Sequence, residues 1–215
     1  MKLYNNDGSP FAARVRMLLR AKNAPAVEML KPGADYKTIA PIGKIPALLL
    51  DDGTLLPESE VICGYLDATL PGPSLYLDTP EARARVTLMV RLSDLYLAPP
   101  LHDFFVLLFT QPGNREAIEA LAPAFARGLK FLDIYIAKDG CAAEARFSQA
   151  DCTLAPMLFY VDEVLPGLIG QNLLEKRPAL SAYWQRIKSY PTAAPVLEEV
   201  RKSWSRYQQK LQSSQ

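Results

Sequence analysis

One histidine and three cysteines are all that 215 residues offer of the side chains that most often carry metal or nucleophilic chemistry. A lone His102, beside "LAPPL", leaves no partner for a Ser-His-Asp triad or a multi-histidine metal site, so both chemistries are excluded. Cys63, Cys141 and Cys152 have the spacing of neither a zinc site nor a CxxC redox pair. An odd number also argues against a disulfide framework. Cys63 and Cys152 sit in apolar runs and read as buried thiols. Cys141 follows Gly140 and reads as an exposed loop residue. Charge of one sign is scarce too: 24 Lys and Arg against 23 Asp and Glu give a net charge of +1. That balance leaves no basic footprint for nucleic acid and no acidic tail. No stretch reaches the roughly 18 apolar residues that span a bilayer, and "MKLYNNDGSPF" has no apolar leader. The expectation is a cytoplasmic protein with no membrane and no nucleic-acid partner. Repeats and low-complexity segments are absent.

What is present is an ordinary globular composition, 49% apolar and 22% charged, in a chain long enough for one large domain or two small ones. The first third alternates strand and helix signals. "KLYN" (2–5) reads as a strand. "SPFAARVRMLLRAKN" reads as a helix, with Ser9 as N-cap and Pro10 at the first helical position. Its Phe11, Val15, Leu18 and Leu19 fall on one face. "AVEML" (26–30) reads as a second strand, and a strand–helix–strand of this length implies a parallel pair with a right-handed crossover. "DYKTIAPIGK" is irregular, with at most one helical turn. "PALLL" (46–50) and "TLLP" (54–57) are strands joined by an Asp51-Asp52-Gly53 turn. Ser59 opens another helix, with Val61, Ile62, Tyr65 and Leu66 inward. The order βαβ-ββα predicts a mixed four-stranded sheet flanked by helices over residues 1–72.

"PGPSLY" then reads as a linker, assigned to 73–78, and from Thr79 to residue 215 only helical periods appear. Thr79-Pro80-Glu81 is a helix start. Pro99-Pro100 should bend or stop that helix. Residues 114–140 read as one long amphipathic helix, with Leu121, Phe125, Leu129, Leu132 and Ile136 inward and Gly140 closing it. "QADCTLAPMLFYVDEVL" is apolar on all sides and reads as the central buried helix. Two further helices finish the chain.

Three local features stand together in the first domain. Ser9 opens the first helix, Ile45-Pro46 enters the third strand, and Glu58-Ser59 opens the third helix. Helix N-termini present unpaired amides and a partial positive charge, so they attract anions. If the sheet brings the two helix starts to one edge, that edge can hold a carboxylate at Ser59 and a thiolate or oxyanion at Ser9. Glu58 would pair with an ammonium beside the carboxylate, which suits an α-amino-acid group. A cis Ile45-Pro46 bond would leave Ile45 free to pair with an extended peptide, and Lys44 could reach a terminal carboxylate. Taken singly, each feature also has a plain structural reading. Ser9 and Ser59 can be simple caps, Glu58 and Lys44 solvated charges, and Pro46 a strand start.

The stretches "SPFAARVRMLL", "GKIPALLLDDGTLLPESEVICGYL", "FSQADCTLAPML" and "RPALSAYWQRIKSYP" resemble the cytosolic glutathione transferases over nearly the whole chain. Ser148-Gln149-Ala150-Asp151 is similar to the capping box that opens the central helix of that family's second domain. The resemblance implies a thioredoxin-like α/β N-terminal domain plus an all-α C-terminal bundle, and a two-fold homodimer. It implies glutathione as co-substrate, no metal, a hydrophobic electrophile as partner, and a transferase of the detoxification type. It assigns Glu58 and Ser59 to the γ-glutamyl end, Ile45 before Pro46 to the cysteinyl backbone, and Lys44 to the glycine carboxylate. It gives Ser9 a hydrogen bond to the glutathione sulfur. Phe11, Tyr96, Leu97 and His102 are its candidates for a second-substrate pocket between the domains. Tyr4 lies earlier than the tyrosine of the tyrosine-type classes. No cysteine adjoins Ser9, and "DGSPF" lacks the Ser-Ser-Cys run of the isomerase-type class. A carrier without turnover, a peroxidase and an isomerase stay open as alternatives.

Overall fold

The computed structural model describes residues 1–24 and 27–213. They form two compact units, Met1–Leu75 with Pro191–Gln215, and Tyr76–Tyr190. The sequence assigns 79–215 to one helical domain; by compactness, the closing stretch instead clusters with the first unit.

In the first unit, β1 (Lys2–Tyr4), α1 (Pro10–Ala21), β2 (Glu28–Leu30), a single helical turn α2 (Tyr36–Ile39), β3 (Ala47–Leu49), β4 (Leu55–Pro57) and α3 (Ser59–Thr69) follow in order. The sheet order is β2-β1-β3-β4, parallel between β1 and β2 and antiparallel elsewhere. This is the predicted mixed sheet. Of the predicted second strand, Ala26 lies outside the described residues. Helix α1 packs on α3, and Val15 and Leu18 of α1 and Ile62 and Leu66 of α3 are all fully buried. Val61, expected inward, is 54% exposed, because the buried stripe of α3 runs Ser59, Ile62, Cys63, Leu66. The segment after α3 is tied down by a buried ion pair. Lys22 Nζ meets Asp67 at 2.8 Å, and the same carboxylate accepts from Ser74 Oγ at 2.7 Å and from the Leu75 N–H at 2.9 Å. Burial raises the Asp67 pKa, but these donors outweigh it and hold the carboxyl below its ordinary value. The final helix of this unit, α11, comprises Ala193–Ser213.

The second unit is helical: α4 (Pro80–Leu92), α5 (Ala98–Thr110), α6 (Arg115–Glu119), α7 (Ala122–Tyr135), α8 (Gln149–Phe159), α9 (Pro166–Ile169) and α10 (Pro178–Ile187). Pro99-Pro100 does not stop the helix. A π-helical turn, Ser93–Leu97, joins α4 to α5, and both prolines fall in the first turn of α5, where their missing N–H groups cost least. The pattern repeats at Tyr160–Val164, a second π turn immediately ahead of Pro166. The single long helix expected over 114–140 is two, since Pro123 opens α7, and it ends at Tyr135 rather than at Gly140. Backbone of α7 lies directly on the first π turn. A Cβ at Gly128 would sit 2.8 Å from the Tyr96 carbonyl carbon and closer still to its oxygen.

Every residue of α8 is buried, the polar Gln149, Asp151 and Thr153 included, as its apolar character on all sides predicts. Two helical runs, Pro80–Thr110 and Gln149–Ile169, are long and apolar enough to cross a membrane by length and composition, against the expectation of none. Their most apolar windows are 33% and 72% buried in the fold. Helix α8 opens on the predicted capping box. Asp151, fully buried, accepts from Ser148 N at 2.9 Å, Ser148 Oγ at 3.0 Å, Ala142 N at 2.8 Å and Tyr183 Oη at 3.1 Å. Burial raises its carboxyl to about 6 against the pull of those four donors. Cys141, expected at the surface, is buried at 2% exposure, and its thiol is pushed up to about 12 by burial and by Asp151.

Two expectations follow. Gly128→Ala should cost at least about 2 kcal/mol, because main chain cannot move aside as a side-chain tip can. A denaturant midpoint equal to wild type would contradict the close contact. Asp151 keeps its proton in the folded protein where the unfolded chain has lost it. Its contribution is therefore complete below pH ~4 and fades as pH rises through ~6, by about 3 kcal/mol in all. The stability difference between wild type and Asp151→Asn should shrink over that window. A difference that stays constant or grows with pH would contradict the burial assigned to Asp151.

Candidate functional site

The strand register decides where the three predicted features go. β1 and β4 both run antiparallel to β3, and the pairs Tyr4↔Ala47 and Ala47↔Pro57 put these residues in one row. At that row the chain leaves Tyr4 toward Ser9 and α1, arrives at Ala47 from Pro46, and leaves Pro57 toward Glu58, Ser59 and α3. Both helix starts and the Ile45-Pro46 bend therefore lie along one edge of the sheet, within the first unit.

Ser9 caps α1: its Oγ accepts the Ala12 N–H at 3.2 Å. The hydroxyl proton is committed to no acceptor among the described residues. The Ile45-Pro46 bond is cis, and β3 begins at the next residue. Exposed Lys44 has no ion pair among the described residues. Its carbonyl is held by Tyr36 Oη at 2.6 Å, and the Tyr36 ring packs on Tyr4 with centroids 4.9 Å apart. Burial and then Tyr4 raise the Tyr36 hydroxyl above its ordinary pKa, so it stays a donor. Ser59 is the first residue of α3. It is only 6% exposed, and its hydroxyl has no partner among the described residues. Glu58, exposed and likewise without an ion pair, sits at φ 67°, ψ 116°, a conformation that side-chain-bearing residues avoid. Such strain is kept where something other than stability requires that residue.

Several contributors escaped the sequence reading. Arg14, almost wholly buried in α1, reaches Glu60 of α3 at 3.5 Å and so links the two helix starts. Arg16 and Tyr36 hold the flanking loops. The visible signal was Arg-Val-Arg inside an otherwise apolar helix, where buried charge needs partners. Nothing in the letter Glu58 predicts a positive φ.

The second-substrate candidates fall on three elements. Phe11 is half-buried in the first turn of α1. Tyr96 and Leu97 lie in the Ser93–Leu97 π turn. Leu97 is fully buried as core, and Tyr96 packs edge-on against Phe131 at 4.9 Å. His102 is exposed on α5. Among the described residues no cluster of three or more His, Cys, Asp or Glu could hold a metal ion.

Two family models match. The one described as "Glutathione S-transferase, N-terminal domain" covers residues 8–69, and the one described as "Glutathione S-transferase, C-terminal domain" covers 115–186. The chain is 27% identical to "Glutathione S-transferase 2" of Saccharomyces cerevisiae, over 92% of this chain and 90% of that one. It is 31% identical to the maleylacetoacetate isomerase of Pseudomonas aeruginosa, over 74% of this chain and 80% of that one. It is also similar to a solved glutathione transferase family member from Pseudomonas fluorescens Pf-5 with bound glutathione. That match has a TM-score of 0.72 and 26% identity, over 91% of this chain and 97% of the other.

The strain at Glu58 has a direct consequence. Glu58→Gly should leave the folded protein as stable as wild type or raise its stability by about 1 kcal/mol, since glycine adopts that backbone freely. A thermal scan showing the variant clearly less stable would remove the strain from the account.

Proposed function

The chain belongs to the glutathione S-transferase family, and from that premise we propose that it activates glutathione as a thiolate and conjugates it to a hydrophobic electrophile. The observation that carries this reading is the single sheet edge on which Ser9, the cis Ile45-Pro46 bond and Glu58-Ser59 lie together. The tripeptide runs along it as an added strand would. Its cysteinyl backbone pairs with Ile45. The γ-glutamyl carboxylate takes the Ser59 hydroxyl and the N-terminal amides of α3, and its ammonium takes Glu58. The glycine carboxylate meets Lys44.

The sulfur then comes to the start of α1. A free thiol with a pKa near 8.5 is mostly protonated at neutral pH, and only the thiolate attacks. Ser9 Oγ already accepts from Ala12, so it meets the sulfur with its hydrogen. That donor and the helix N-terminus stabilise the anion. Lowering the thiol pKa by about two units takes roughly 2.7 kcal/mol. The thiol proton leaves to solvent. The thiolate forms a carbon–sulfur bond and displaces a leaving group, or adds to an activated double bond, the π pair then taking a proton from solvent. Ser9 keeps its proton throughout.

An isomerase reading is favoured by the 31% identity to a maleylacetoacetate isomerase. Against it, residues 7–10 read Asp-Gly-Ser-Pro, without the Ser-Ser-Cys run of the isomerase-type class. A carrier without turnover would keep Lys44, Glu58 and Ser59 and dispense with Ser9. A two-fold dimer and a cytoplasmic setting belong to the same proposal.

Retention on immobilised glutathione, followed by conjugation of a chlorodinitrobenzene, tests it. Retention with turnover is expected. Retention without turnover across a panel of electrophiles would favour the carrier. Ser9→Ala should lower kcat by about two orders of magnitude while moving the glutathione Kd little, as loss of one preorganised donor does. Ser59→Ala should chiefly weaken binding. An unchanged Kd in calorimetry would overturn the γ-glutamyl assignment.

A further inference from the structure

The loop that delivers Ser9 to the sheet edge is Asn5–Gly8, and it is held by Arg16 of α1 and by α11. Arg16, on α1 and only 6% exposed, gathers it. Its guanidinium donates to Asn5 Oδ1 at 2.7 Å, to the Asn6 carbonyl at 3.3 Å and to the Asp7 carbonyl at 2.8 Å. Its Nε lies 3.1 Å from Glu199 Oε2, on α11. Glu199 also binds Arg20 at 2.7 Å, so the carboxylate is clamped between two arginines of α1. The same helix approaches the loop twice more. Arg206 lies 3.5 Å from Asp7, and a Cβ at Gly8 would sit 2.8 Å from Ser203 Oγ. Within the loop, the Asn6 side chain accepts the Gly8 N–H at 2.9 Å, and the Asn6 carbonyl accepts the Ser9 N–H at 3.0 Å. The carbonyl that receives Ser9's own N–H is thus one that Arg16 grips.

These contacts fix main chain, not only side chains. Asn6 and Asp7 are anchored by their carbonyls, and the next residue but one is the cap of α1. A planar guanidinium can make this set of bonds at once, and an ammonium cannot. Helix α11 lies beyond residue 186, where the C-terminal family match ends.

We propose that Arg16 and Glu199 are positioning residues, through which the C-terminal helix sets the Asn5–Gly8 loop and hence the aim of the Ser9 hydroxyl at a bound thiol. This rests on the reading of Ser9 given above. The glutathione anchors Lys44, Ile45, Glu58 and Ser59 belong to other segments of the sheet edge, so loosening the loop should spare binding and impair activation. A displacement near 1 Å at a reacting group can cost up to about a hundred-fold.

The test compares full-length wild type, Arg16→Lys, Glu199→Gln and Ser9→Ala. The readouts are the ultraviolet titration of the bound glutathione thiol, kcat and KM for glutathione with a chlorodinitrobenzene, and the thermal midpoint. Arg16→Lys should raise the thiol titration midpoint toward that of Ser9→Ala and lower kcat by about ten-fold, with KM for glutathione within about two-fold of wild type. Glu199→Gln should do the same to a smaller extent. A purely structural role would lower the thermal midpoint and leave the titration of the folded fraction where it was. If Ser9→Ala shifts the titration and a folded Arg16→Lys does not, this inference fails alone. If Ser9→Ala shifts nothing, the Ser9 reading fails and takes this inference with it. Should Arg16→Lys not fold, Glu199→Gln is judged by the same criterion.

Discussion

The structure depends on one constraint: a four-stranded sheet in which one interior strand, β3, runs against both of its neighbours. Antiparallel pairing of β3 with β1 and with β4 forces the exits of those two strands and the entrance of the third onto one edge. Each exit feeds a helix, and each helix start brings unpaired amides and a partial positive charge. The entrance brings the bend at Ile45-Pro46. An anionic, peptide-like ligand is the natural occupant of such an edge. The side chains there follow suit: a buried hydroxyl at Ser59, a carboxylate at Glu58 and an ammonium at Lys44, none of them engaged elsewhere in the described residues.

What surrounds that edge is devoted to keeping it still. Tyr36 holds the Lys44 carbonyl. Arg14 ties α1 to Glu60. Arg16 and Glu199 tie the Ser9 loop to α11. At the far ends of α1 and α3, Lys22, Asp67 and Ser74 secure the segment that follows α3. Every one of these involves a charged or polar group with most of its surface removed from water. Such groups contribute little net stability when paired and cost a good deal when a partner is lost. They therefore favour one arrangement of the loops over its alternatives. In the helical unit Asp151 does the same with four donors, at the cost of a raised carboxyl pKa.

The parts of this that were legible in sequence are those written in local chemistry. Ser9-Pro10 and Thr79-Pro80 announce helix starts, Asp51-Asp52-Gly53 announces a turn, and alternation of strand and helix gives the sheet. Ser148 and Asp151 give the capping box. The errors arose where tertiary packing overrode local pattern. Pro99-Pro100 reads as a bend or a stop; a π turn ahead of it lets the helix continue, so the stop is excluded. Val61 looks apolar enough to be inside, yet the α3 stripe turns it out. Cys141 follows a glycine in a loop that folds inward beside Asp151. Glu58 gives no sign of its positive φ, and α11 reads as one more bundle helix although it clusters with the sheet. Long-range partners such as Glu199 for Arg16 leave no trace in a window of neighbouring residues.

The most direct test is a crystal structure with glutathione bound. The account predicts the tripeptide extended along the edge marked by Tyr4, Ala47 and Pro57, its γ-glutamyl carboxylate on Ser59, its cysteinyl backbone on Ile45, and its sulfur within hydrogen-bonding reach of Ser9 Oγ. A tripeptide seated elsewhere, or one on this edge with its sulfur turned away from the start of α1, would contradict it.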